Sequence, residues 1–295
     1  MAKMIRMPAD IRDPSHEQRW HYANFTDNFV FQYIIRHYPD ILQEILGRII
    51  PELRDEELTV IGHEVRQGES GLFRENVLDI LIRAASRKRI VLDMQNTWEK
   101  CMCGRMRIYG SNVDSRLLVK GAEDYCIPEV IVICICKFDP LGRKQYVYDT
   151  APERNAAESG WFSDGRRMIL LNVKGRKGPV TPQLESFLKY VNGIDTDDLL
   201  CDTIDKAVEE MKKDEIVRRN YMTFSMHIED ERRDARKKGR REGRREGRQE
   251  GKAKKERSLI LQNFREGIPA EQIAKFMHMP LEAVQRIIHE KSVMN

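Results

Sequence analysis

The chain has 295 residues, enough to bury a sizeable core in one large domain or two smaller ones. Its net charge of +4 is uneven: Glu231–Arg257 holds 14 Lys/Arg and 6 Asp/Glu, a net of +8, which leaves the rest of the chain at −4. A mildly acidic body with a basic tail is not a uniformly basic nucleic-acid coat. No run of about 18 apolar residues is present, so no membrane-spanning helix is expected. Met1–Arg19 lacks the apolar core of a signal peptide, and the six cysteines are therefore read as reduced thiols of a cytoplasmic protein.

Residues 1–24 read as a flexible lead. From Thr26 the pattern is helical: Thr26 or Asp27 can cap a helix carrying Phe29, Val30, Tyr33 and Ile34. Pro39 interrupts it, and Ile41, Leu42, Ile45, Leu46, Ile49 and Ile50 continue the 3–4 spacing, which predicts two helices or one kinked helix. The period then changes. Leu58–Arg66, Asn76–Ala84 and Lys88–Asn96 are short and rich in Val, Ile and Leu, with a hairpin turn expected at Ala85–Lys88. Gly104–Lys120 predicts a helix with Met106, Tyr109, Val113 and Leu117 on one stripe; Glu129–Phe138, Lys144–Tyr148 and Arg167–Val173 predict strands. The order implies an α/β fold, a mixed sheet flanked by helices.

Pro182–Asn192 and Asp197–Lys213 predict two more helices, the second continuing toward the charged segment Glu229–Glu256. There Gly239, Gly243, Gly247 and Gly251 recur every fourth residue among Arg, Lys and Glu. Charge pairs at i,i+4 are expected to favour helix, while each Gly costs about 1 kcal/mol relative to Ala. Leu259–Gly267, Pro269–Met277 and Pro280–Glu290 predict three short amphipathic helices, an arrangement like a helix-turn-helix. Gln272, His278, Gln285 and Arg286 are its candidates for reading DNA; capping the fold or dimerisation is the alternative. The expected division is a body at 25–195, a helical extension and charged linker at 196–257, and a helical module at 258–295.

The informative stretch is Asn76–Asn96. Asp79 and Asp93 each interrupt an apolar strand, and Gln95 lies two residues after Asp93, on the same face of its strand. A hairpin centred near Ser86–Arg87 brings Asp79 beside Asp93 to within one residue. Two buried carboxylates are costly unless something pairs them. A divalent cation removes the cost, and oxygen ligands suit Mg²⁺, with Mn²⁺ as a substitute. The bland reading is an ion pair of these carboxylates with Arg66, Arg83 or Arg105. Cys101-x-Cys103 and Cys134-x-Cys136 have the wrong spacing for a zinc site.

This Asp–turn–Asp-x-Gln pattern resembles the recombination-promoting nuclease/transposase family of bacteria, a branch of the PD-(D/E)XK nuclease superfamily. The likeness is carried also by T-D-N-F-V-F-Q-Y-I at 26–34, R-M-R-I-Y-G-S at 105–111, Y-C-I-P-E-V-I-V-I at 125–133 and the charged repeat. It implies a restriction-endonuclease-like sheet with an α-helical C-terminal extension, a DNA substrate and metal-dependent phosphodiester hydrolysis. It assigns Asp79, Asp93 and the Met94 carbonyl to the metal, and Gln95 to the position where a Lys normally orients water. Glu44 or Glu64 is the further acid that the superfamily often adds. A catalytically silent DNA-binding or assembly protein of the same fold is the alternative, and a homodimer is compatible with either.

Overall fold

The structure is a computed structural model describing residues 7–8, 14–61, 80–98, 100–117, 127–150 and 164–292. Six strands form one sheet in the order β1-β2-β3-β4-β6-β5: β1 (Leu58–Ile61), β2 (Ile80–Ala84), β3 (Arg89–Gln95), β4 (Val130–Cys136), β5 (Val147–Asp149) and β6 (Arg166–Asn172). The central β3, β4 and β6 run parallel, while β1, β2 and β5 join antiparallel at the edges. Every residue of β4 is buried, as expected for a central parallel strand covered on both faces.

Alternation along the strands divides the core in two. Ile90, Leu92, Met94, Ile131, Ile133, Ile135, Ile169 and Leu171 face the helices α2 (Asn28–His37), α3 (Pro39–Ile49), α5 (Pro182–Val191) and α6 (Leu199–Lys212). Val91, Val130, Val132, Cys134, Cys136 and Leu170 face α4 (Met102–Leu117), which crosses over between β3 and β4. Asp27 caps α2, accepting from Phe29 N and Val30 N, and Pro39 starts α3 as a separate helix. The hairpin from β2 to β3 closes at Ala84–Lys88, and Ile80 pairs with Leu92. The expected strand extensions over 62–79 and the helix end at 118–120 lie outside the described residues.

Three expectations change. The lead is not wholly irregular: Ser15 and Gln18 form a capping box for α1 (His16–Tyr22), and Trp20 is buried with its ring 5.0 Å from that of Tyr221. A seven-residue helix has too short a pattern to read in sequence; a distant partner stabilises it. The boundary drawn at 195 also moves. Leu200, Cys201, Ile204, Ala207, Val208, Met211, Val217 and Tyr221 join the main core, and the first compact unit runs from Met1 to Phe224.

The third change concerns the tail. Helix α7 spans Glu215–Arg265, 51 residues, and takes in the expected helix at 259–267. Within Gly239–Gly251 a period of four sets like residues at i,i+4, and among the described residues no ion pair forms there. The ion pairs flank it instead, at Asp230–Arg233, Asp234–Lys237 and Lys252–Glu256. The second compact unit, Ser225–Asn295, has its own small core: Ile260 of α7, Ile273 and Ala274 of α8 (Ala270–Met277), and Val284 of α9 (Leu281–Ser292). His278 ends α8 in the left-handed region (φ 51°), which makes the tight turn into α9. Gln272, His278, Gln285 and Arg286 are all exposed there.

Candidate active site

The site is built on the C-terminal half of β3. Asp93 and Gln95 project from the α4 face, as their i,i+2 spacing requires, and Asp93 is fully buried. The two side chains touch: Gln95 Nε2 donates to Asp93 Oδ2 at 2.5 Å. The parallel register sets Asp93 beside Cys134, whose thiol donates to the same oxygen at 3.7 Å. Burial pushes the Cys134 thiol well up, and the neighbouring Asp93 charge adds to this, so it stays a neutral donor. Burial, with Asp93 behind it, raises the Cys136 thiol to about 12.

Helix α4 supplies the cation. Arg105 Nε lies 4.0 Å from Asp93 Oδ2 and donates to Tyr109 Oη at 2.6 Å. The guanidinium also sits 5.3 Å from the centroid of the Tyr109 ring. All these contacts address Asp93 Oδ2. Oδ1 is buried and has no hydrogen-bond partner among the described residues. Such an oxygen is costly to leave bare, and it is what a cation would take. The donor chemistry therefore fits a hard divalent metal through a carboxylate oxygen. Among the described residues no three metal-binding side chains gather.

The other expected residues separate. Asp79 and Glu64 lie outside the described residues, as does Arg66. The Met94 side chain is in the core on the opposite face. Its backbone groups point toward β2, because odd-numbered β3 residues bond β4: Arg89 N donates to Glu129 O, and Gln95 O accepts from Lys137 N. Glu44 does not join the site. It lies on α3, across the sheet, and accepts from Arg48, which forms a bidentate pair with Asp198 at the start of α6. Arg83 is exposed and paired in register with Arg89, so of the two expected ion-pair partners among the described residues Arg105 is the one beside Asp93.

The opening helix is tied to the site's rim. Asn96 Nδ2 donates to Thr26 O at 2.7 Å and to Asn28 Oδ1 at 3.1 Å, and Lys137 Nζ donates to Thr26 Oγ1 at 3.2 Å. Cys134 as a neighbour of Asp93 could not be read in advance, since it depends on the β3–β4 register. Arg105 and Tyr109 left a usable signal, the i,i+4 spacing on a predicted helix next to the acidic strand.

A six-stranded mixed sheet flanked by helices, with an acid on its central strand, is consistent with the PD-(D/E)XK nuclease fold. The family described as PD-(D/E)XK nuclease family transposase matches residues 26–242, and the chain belongs to it. Neither a curated protein nor a solved structure gave a match. Among the described residues no helix is long and apolar enough to cross a membrane.

Proposed function

We propose that the protein is a Mg²⁺-dependent DNA endonuclease, with Mn²⁺ as a substitute, acting in recombination or in the movement of mobile DNA. The observation that carries this is the bare Oδ1 of a fully buried Asp93, in a chain of a nuclease family. Asp93 would hold the cation through Oδ1. Asp79 would be its second carboxylate ligand, as the Asp–turn–Asp-x-Gln pattern of the sequence suggests. The Met94 carbonyl, on the β2 side of β3, would be a third. When bound, the cation supplies charge neutralisation at the phosphodiester and acidity at a water.

Gln95 has no titratable proton and cannot act as a base. Its amide restrains Asp93 Oδ2 and leaves Oδ1 to the metal; its remaining hydrogen-bonding capacity can orient water. The proton of the attacking water passes to solvent or to a substrate phosphate. Arg105, braced by Tyr109, places a fixed positive charge at the mouth of the site, where a phosphate would approach. The free thiols of Cys134, Cys136 and Cys201 suit a reducing cytoplasm.

A second reading is a DNA-binding protein that has lost catalysis. It is favoured by Gln95, which is neutral where the superfamily carries Lys. Incubation of supercoiled plasmid with Mg²⁺, Mn²⁺ or EDTA separates the two. Metal-dependent nicking that disappears in Asp79→Ala and Asp93→Ala supports the nuclease. Binding without cleavage in either metal removes it.

A further inference from the structure

The repeat in α7 has a property that its composition hides. A helix turns about 100° per residue, so a four-residue repeat advances about 400° and each residue class drifts only about 40° per repeat. Each class therefore forms one slowly winding row. Taking Arg240 as zero, Arg244, Arg248, Arg241, Lys252 and Arg245 follow at about 40°, 80°, 100°, 120° and 140°. Glu242, Glu246 and Glu250 fall at about 200°, 240° and 280°, on the opposite side. What reads along the chain as alternating charge becomes, on the helix, a basic face free of carboxylates over this span.

This face is open. Residues 230–255 are all exposed. The i,i+4 neighbours of Arg240 and Arg244 are further arginines, so no row of acids neutralises them within the helix. We propose that this face is a contact surface for the phosphate backbone of duplex DNA, separate from the candidate active site. Charge complementarity selects the partner. A second copy would bring a net of +8 against +8 over Glu231–Arg257 and be repelled. An anionic membrane would gain little beyond charge, because the only apolar side chains between Glu229 and Arg257 are Ala235 and Ala253. Duplex DNA needs no apolar face, carries about one charge per 1.7 Å of axis, and is the substrate class of the family. The row Arg240, Arg244, Arg248, Lys252 rises about 6 Å per step, so it presents four cations over about 18 Å to one backbone.

The test is binding of the full chain to a fluorescently labelled duplex in EDTA, followed by anisotropy over a salt series. It reads contact without cleavage, so it stands or falls separately from the nuclease reading. Replacing Arg240, Arg244, Arg248 and Lys252 with Gln should lower the slope of log K against log [salt] by about three to four. The decisive variant keeps net charge and composition: Glu242→Arg with Arg244→Glu, and Glu246→Arg with Arg248→Glu. It moves two cations to the acidic side and should weaken binding at least tenfold, with the far-ultraviolet circular dichroism spectrum unchanged. Wild-type affinity in the swapped chain would show that only net charge matters and would overturn the proposal. So would an unchanged slope in the Gln variant, or tighter binding to phosphatidylserine vesicles or to RNA than to the duplex.

Discussion

If Asp93 is kept for a cation, the metal-free protein should be more stable without its charge. Asp93→Asn preserves shape and the oxygen that accepts from Gln95. It removes a carboxylate that is fully buried and, among the described residues, has one oxygen without a hydrogen-bond partner and its nearest cation at 4.0 Å. A buried polar group left unsatisfied costs about 1–3 kcal/mol, and a poorly compensated charge costs more. The Asn amide is itself unsatisfied at the Oδ1 position, and the charge-assisted bond from Gln95 is lost. The net expectation is a gain of about 1–2 kcal/mol in EDTA, a rise in Tm of roughly 2–8 °C for a unit of this size. The assay is thermal unfolding by circular dichroism, in EDTA and in Mg²⁺. Mg²⁺ should raise the Tm of the wild-type chain and leave that of Asp93→Asn unchanged. A less stable Asn variant in EDTA, with the same Mg²⁺ response as wild type, would refute the reasoning and make Asp93 structural.

Other outcomes follow from the same contacts. Arg105→Ala should abolish nicking or reduce it by two orders of magnitude or more, and Arg105→Lys should restore little, since the ammonium cannot make two parallel bonds; full activity in Arg105→Ala would remove its role. Trp20→Ala should cost about 3–5 kcal/mol in urea unfolding, because Trp20 is packed on Tyr221; a negligible change would restore the reading of residues 1–24 as a loose lead. Burial pushes the Asp198 carboxyl up, but the Arg48 hydrogen bonds and charge outweigh it, so it titrates below its ordinary value. Its contribution is therefore present above the unfolded value of about 4 and is lost as the pH falls further, and Asp198→Asn should flatten the acid limb of the stability curve. Gly→Ala at 239, 243, 247 and 251 meets no atom within 4 Å, so each should add about 1 kcal/mol of helix propensity and slow tryptic cleavage within the repeat.

Much of the fold was legible from residue pattern alone. The switch from 3.6- to 2-residue periodicity near Leu58 marked the start of the sheet, and the unbroken apolar run at Val130–Cys136 marked a strand buried on both faces. These are local properties, and local sterics with burial are enough to determine them. The pairing of Asp93 with Gln95 was legible for the same reason, since i,i+2 on a strand is geometry and not packing. The charged segment is helical as expected, but α7 runs on through Leu259 to Arg265, where the sequence pattern suggests a separate helix.

Tertiary structure alone decided the rest. Glu44 had the right chemistry but sits on a helix across the sheet, and no local pattern says on which face a helix will pack. The β3–β4 register chose Cys134 as the neighbour of Asp93, through pairing between residues 41 positions apart. The main core reached past residue 195 because α6 and the first turns of α7 cover apolar surface left by α1, α2 and α3. The uneven charge with which the sequence opens was determined by composition; that it forms one basic face required the helix. Composition and spacing name the chemical groups, and only long-range packing decides which of them meet.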